Sequence, residues 1–208
     1  MEYRYLLVVR FCLINVIFVS VILAVYLQGW LDAMFSEETI ALVLFIFIVF
    51  VYGLFLCGAK IWQTTVELND IKTGSPPPAS RAGKYISSIY GNDQEGRSIS
   101  AMALRVKLTN RISIVRHFAN SLVFLGLIGT VIGFIIALSA VDPKSTADAS
   151  TVAPVIAKLI SGMSIALYTT LVGAVLHLWL IVNHRILSSG TVNLYSAIVE
   201  LGETSGRA

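Results

Sequence analysis

The sequence predicts an all-α polytopic membrane protein with four transmembrane helices and cytoplasmic helical extensions. Three observations carry that prediction. Of the 208 residues, 56% are hydrophobic and only 13% charged, with a mean hydropathy of +0.81, whereas soluble domains carry about 25% charged residues. Four apolar runs of roughly 20 residues recur along the chain, each long enough at ~1.5 Å rise per residue to cross a ~30 Å hydrocarbon core. The basic residues gather in one loop between the second and third runs, where they act as a topology signal. The net charge of +3 therefore implies no nucleic acid, and with most of the length spent on spans, little remains for a soluble domain.

The first run, Leu6 to Leu27, is too long for a signal-peptide core and is expected to remain as a span. Arg10 lies near its start, within reach of the headgroups by snorkelling. The link from Gln28 to Glu38 carries Asp32, Glu37 and Glu38 without a lysine or arginine, so it is expected to face outward. A second span, Thr39 to Ala59, is rich in Phe, Val and Ile, which suits a lipid-facing helix, with Trp62 marking its interface. Cys12 and Cys57 fall in apolar runs with no metal or redox spacing and read as inert thiols.

From Lys60 to Phe118 nine Lys and Arg residues stand against Glu67, Asp70, Asp93 and Glu95, which makes this loop cytoplasmic. Its Gly74-to-Ser80 segment holds three consecutive prolines, cannot continue a helix and is expected to be a connector between short helices. Residues 98–118 contain no breaker. They are expected to run straight into the third span, with Ser98 or Ser100 as a cap, and to serve as a solvated edge helix or as a grip on anionic lipid or a cytoplasmic partner.

The third span, Ala119 to Val141, contains Leu125-Gly126-Leu127-Ile128-Gly129-Thr130-Val131-Ile132-Gly133-Phe134. Gly126, Gly129 and Gly133 bare one helix face, and Gly129 with Gly133 has the small-xxx-small spacing that lets helix backbones approach. The outer link, Asp142 to Ser161, is electrically balanced. Pro154 suits a helix's first turn, and the fourth span, Gly162 to Val182, follows after a slight interruption at Gly162. Beyond Asn183-His184-Arg185 a short amphipathic piece, Val192 to Leu201, and a disordered end are expected.

Measured from the same membrane face, Thr130 lies 11 residues inside the third span and Thr170 lies 12 inside the fourth. Both sit ~17 Å deep at ~1.5 Å per residue. Two hydroxyls at one depth can line an ion path; equally, each can bond back to a carbonyl or join helices. No Asp, Glu or Lys occupies the middle of any span, so a moving ion needs a carboxylate from elsewhere. His177, two turns beyond Thr170, is the one ionisable candidate at such depth, either titrating or neutral between helices.

At these residues the sequence resembles the MotA/TolQ/ExbB proton-channel family. Residues 125–133 resemble its LGLxGTVxG helix, and Gly162-Met163-Ser164-Ile165-Ala166-Leu167-Tyr168-Thr169-Thr170-Leu171-Val172-Gly173 resembles its GIxxALxTTxxG helix. The membrane region is also similar to that of ZorA in anti-phage Zorya systems. Where many members have an early proline in the third span this chain has Val123, and where the TolQ and ExbB branch has a glutamate in the fourth it has Ile165. The loop is short for a flagellar torque surface. The two-span, loop, two-span layout is similar to the flagellar stator branch.

The resemblance implies a homopentamer in a bacterial inner membrane, with both termini cytoplasmic, around a dimer of a single-span MotB-, ExbD- or TolR-like partner whose membrane aspartate carries the ion. It implies residues 1–59 as two peripheral spans and 60–118 as the cytoplasmic loop. Residues 119–185 are the pore-lining pair with an outer connecting helix, and 186–208 a short cytoplasmic tail. Thr130 and Thr170 are the implied ion-path residues, with Thr169 and His177 as weaker candidates, and Gly126, Gly129, Gly133 and Gly173 pack helices. No cofactor is expected beyond the transported H+ or Na+, and the surrounding partner is membrane lipid. A non-conducting membrane scaffold and an autonomous small channel are the competing readings. An enzyme is disfavoured, since no nucleophile-base pair, metal cluster or phosphate loop is seen.

Overall fold

A computed structural model describes residues 5–29, 37–72, 77–78, 80–89, 94–139 and 149–205. Among the described residues there are five α-helices and no strand: α1 (Leu6–Leu27), α2 (Glu37–Lys72), α3 (Arg81–Ile89), α4 (Gln94–Leu138) and α5 (Ala149–Ser205). All but α3 are long and apolar enough to cross a membrane. In α1 no residue is buried, although side chains such as Val9, Leu13, Val16 and Leu27 are large and apolar. An apolar helix face left exposed in this way is stable only where lipid or another subunit covers it. The protein is thus a multi-pass, all-helical membrane protein. Residues 30–36 of the expected outward link and 142–148 of the outer link lie outside the described residues, as do 73–76 and 79 of the expected connector and residues 206–208.

Helix ends follow local chemistry. Past Leu27, the chain turns at Gly29, whose φ of 75° is the left-handed conformation that glycine adopts without penalty, and its N–H reaches Tyr26 O at 2.9 Å. Ser80 starts α3: its Oγ accepts the Gly83 N–H at 3.1 Å, an N-cap to third-residue bond. Ser98 and Ser100 do not cap α4, which already begins at Gln94; Ser98 instead donates back to Glu95 O. Ser80→Ala is expected to cost about 1 kcal/mol, the ordinary value of a cap, read as a lower thermal midpoint and faster amide exchange in α3.

Contact patterns divide the chain into two compact units. The first, residues 1–17, 54–116 and 182–208, centres on Ile71, Tyr85, Ile89, Leu108, Leu194 and Ile198. Here α3 lays its buried face of Ala82, Tyr85 and Ile89 on the ends of α2, α4 and α5. A Cβ on Gly202 would come within 2.8 Å of the Tyr85 ring, and one on Gly190 within 2.6 Å of Leu7, so α5 stays helical through both glycines because each admits a neighbouring side chain. The region expected as a short tail is therefore a regular continuation of α5 to Ser205, with Leu187, Leu194 and Ile198 fully buried.

The second unit comprises residues 18–53 and 117–181. Trp179 is its aromatic anchor, stacked on Phe18 at 5.1 Å between centroids and tilted against Phe50 at 4.8 Å, geometries that add to the area these rings bury. Two local expectations change in this unit. Because α5 begins at Ala149, Pro154 lies inside the helix rather than in its first turn, and no interruption occurs at Gly162, whose helical bonding is undisturbed while its bare face meets α4.

Candidate functional site

The site lies within the second unit, where α4 and α5 meet along a strip of glycines. Glycine here removes the Cβ that would hold two backbones apart. A Cβ on Gly126 would lie 3.1 Å from Thr169 O and 3.5 Å from Gly173 Cα, and one on Gly173 would lie 2.7 Å from Leu122 O. One turn along α4, a Cβ on Gly129 would overlap the Cβ and Oγ1 of Thr169. At the far end, Gly133 faces Gly162: a Cβ on the first would sit 2.6 Å from Gly162 O and Ala166 N, and one on the second 2.6 Å from Gly133 O. The contact is thus a ladder of three rungs, Gly126 with Gly173, Gly129 with Thr169, and Gly133 with Gly162.

Three threonines occupy this ladder in different ways. Thr169 is fully buried, and its hydroxyl donates within α5 to Ile165 O at 2.9 Å and Ala166 O at 3.1 Å. That satisfies a polar group which would otherwise be costly in an apolar setting. Thr170 is exposed and reaches across to Gly126 O of α4 at 3.3 Å. Thr130 is half-buried and donates to Leu127 O of its own helix. The Thr130 and Thr170 hydroxyls are therefore held on successive carbonyls of one turn of α4, at one level.

His177 stands further along the same pair. Its Nδ1 lies 2.8 Å from Ala119 O; a carbonyl only accepts, so this nitrogen carries the proton and the ring ties α5 to α4. Gly162 belongs to the packing surface although the sequence reading placed only Gly126, Gly129, Gly133 and Gly173 there. Its signal was the small residue at Ala166, four positions on. In the first unit, Asn15 donates through Nδ2 to Asn183 Oδ1 at 2.8 Å, and Asn183 is fully buried. The sequence reading missed this amide pair. An asparagine inside the first apolar run was the available sign, since a polar side chain there needs a partner.

Long apolar helices, two of them packed through glycines with hydroxyls at their contact, define a multi-pass helical membrane protein, and residues 119–138 of α4 and 162–182 of α5 carry no Asp, Glu, Lys or Arg. The family model described as the MotA/TolQ/ExbB proton channel family matches residues 93–199, just over half of the chain, and the protein belongs to that family. The match covers all of α4, and α5 as far as Val199. Neither a curated protein nor a solved structure matches the chain significantly.

Proposed function

We propose that this chain is the channel-forming subunit of an ion-driven motor or energy transducer in a bacterial inner membrane. Five copies enclose a dimer of a single-span partner, with both termini of this chain in the cytoplasm. The observation that supports this most is the placing of the Thr130 and Thr170 hydroxyls on neighbouring carbonyls of one α4 turn, in a chain belonging to a proton channel family. Hydroxyls so placed can hand their hydrogen bonds to water or an ion without a charged group in the wall. Since the spans hold no carboxylate at that depth, the partner's aspartate binds the H+ or Na+. Loading removes its charge and the desolvation penalty of bringing it past an apolar wall. The neutral aspartate then docks on the threonine level, and the pentamer steps around the dimer, converting ion motive force into rotation or other mechanical work.

On this reading Thr169 and His177 hold the helix pair together, and Thr130 and Thr170 face the ion. The same hydrogen bonds also favour a second reading, a non-conducting scaffold in which both hydroxyls only satisfy carbonyls. The two separate in one experiment. Thr130→Val and Thr170→Val are made in the complex co-expressed with a single-span partner carrying a membrane aspartate, and assembly is measured by native mass beside proton or sodium flux in vesicles. Retained five-to-two assembly with flux reduced tenfold or more is the expected result. Loss of assembly with no flux in the parent complex sinks the motor reading.

A further inference from the structure

A second polar region lies in the first unit, remote in sequence from the threonines. Between α3 and residues 100–111 of α4 is a cleft of about 400 Å³, four of whose lining residues are Arg81, Lys84, Lys107 and Arg111, with no carboxylate among the rest. The spacing accounts for the convergence. Arg81 and Lys84 are three apart on α3, Lys107 and Arg111 four apart on α4, so each helix presents two cations from one face. Like charges brought together in this way repel unless an anion accompanies them.

The two guanidiniums are already positioned. Arg81 Nε lies 3.2 Å from Glu67 Oε1, and Arg111 Nη2 donates to Gln63 Oε1 at 2.9 Å. Each of these contacts uses one of five guanidinium N–H donors. Lys84 and Lys107 are exposed. The positive field is undercompensated nearby as well: burial first, then Arg111 and Arg81, hold the Lys60 ammonium below its usual pKa. Glu67 is turned to Arg81, and Asp70, which acts on Glu67, does not line the cleft.

We infer that the cleft between α3 and α4 binds a phosphate-bearing anion, which Arg81 and Arg111 grip through guanidinium forks and Lys84 and Lys107 neutralise. Phosphate fits because its oxygens accept several charge-assisted bonds at once, and arginine forks match that geometry. The same chemistry is offered by an anionic lipid headgroup and by a soluble phosphorylated molecule. The inference does not depend on the ion-channel reading.

The test uses the full chain in phosphatidylcholine nanodiscs, titrated with inorganic pyrophosphate, and in parallel in nanodiscs containing phosphatidylglycerol without pyrophosphate. Thermal unfolding reads binding in both arms, since a ligand held only by the folded state raises the midpoint. A raised midpoint in at least one arm is expected. Lys84→Gln with Lys107→Gln, both exposed and outside the core, should weaken that response about tenfold, the equivalent of one good charge-assisted contact. Lys72→Gln with Lys158→Gln, an equal loss of charge elsewhere, should leave it intact. A response to phosphatidylglycerol alone assigns a lipid headgroup, and one to pyrophosphate alone assigns a soluble phosphate. No response in either arm, or an equal loss in the two double variants, overturns the inference.

Discussion

Gly133→Ala is expected to destabilise the protein severely, although alanine in a helix normally improves on glycine by about 0.5–1 kcal/mol. The sign reverses because the added Cβ would stand 2.6 Å from Gly162 O and Ala166 N and 2.9 Å from Ala166 Cα. Those are backbone atoms of a helix and have no rotamer to yield. Overpacking costs about 1–3 kcal/mol even where side chains can adjust, so the upper end or beyond is expected, read as a lower unfolding midpoint and loss of monodisperse protein in detergent. Gly129→Ala should be as damaging but correctable. Its obstruction is the Thr169 side chain, so Thr169→Gly should restore stability, whereas Thr169→Ala, which keeps the Cβ, should not. No side-chain removal should rescue Gly133→Ala. Gly58→Ala is the control: its Cβ would meet only the Phe11 ring at 3.5 Å, an ordinary contact, and it should be neutral or slightly stabilising. A Gly133→Ala protein as stable as the parent would mean that α4 and α5 are not in contact at this level.

That contrast shows what the sequence could and could not convey. Hydropathy and length were enough to place four long helices, because lipid-facing surface needs no partner to be recognised. The breaker-free stretch before Ala119 likewise foretold that α4 would run unbroken from the loop into its apolar half. Partner choice was a different matter. Thr169 and Thr170 have equal depth and adjacent positions, yet they point about 100° apart on a helix. Which one lies against Gly129 depends on the rotation of α5 about its own axis. For long-range bonds such as Asn15 to Asn183, separated by 168 residues, the local sequence shows that a polar side chain needs a partner but not which residue supplies it. The reach of α5 to Ser205 depends in the same way on distant partners, since the side chains of Leu7 and Tyr85 pack at Gly190 and Gly202.

Arg81→Leu should cost about 1–3 kcal/mol near neutral pH, the ordinary penalty of leaving a desolvated charged group without its partner. The pair is mostly enclosed, with side-chain exposures of 22% and 23%, and Arg81 Nε lies 3.2 Å from Glu67 Oε1. Glu67 Oε2 is buried with no hydrogen-bond partner among the described residues. Burial pushes the Glu67 carboxyl above its ordinary pKa, while Arg81 first and Arg111 second pull it down. Removing Arg81 deletes the larger of those restraints, so the carboxyl moves further up. A carboxyl whose folded pKa exceeds its unfolded value costs stability while ionised, and that cost is relieved as pH falls through the folded value, because the folded state then takes up the proton first. The deficit of Arg81→Leu relative to the parent should accordingly shrink on acidification from neutral pH through the carboxylate range. Glu67→Gln, combined with Arg81→Leu, should remove that pH dependence and recover part of the loss, giving a coupling of about 0.5–3 kcal/mol in the double-mutant cycle. Thermal midpoints of the four proteins across a pH series measure both quantities. A deficit that stays constant or widens toward acid would show that Arg81 stabilises through packing on α2 rather than through the charge of Glu67.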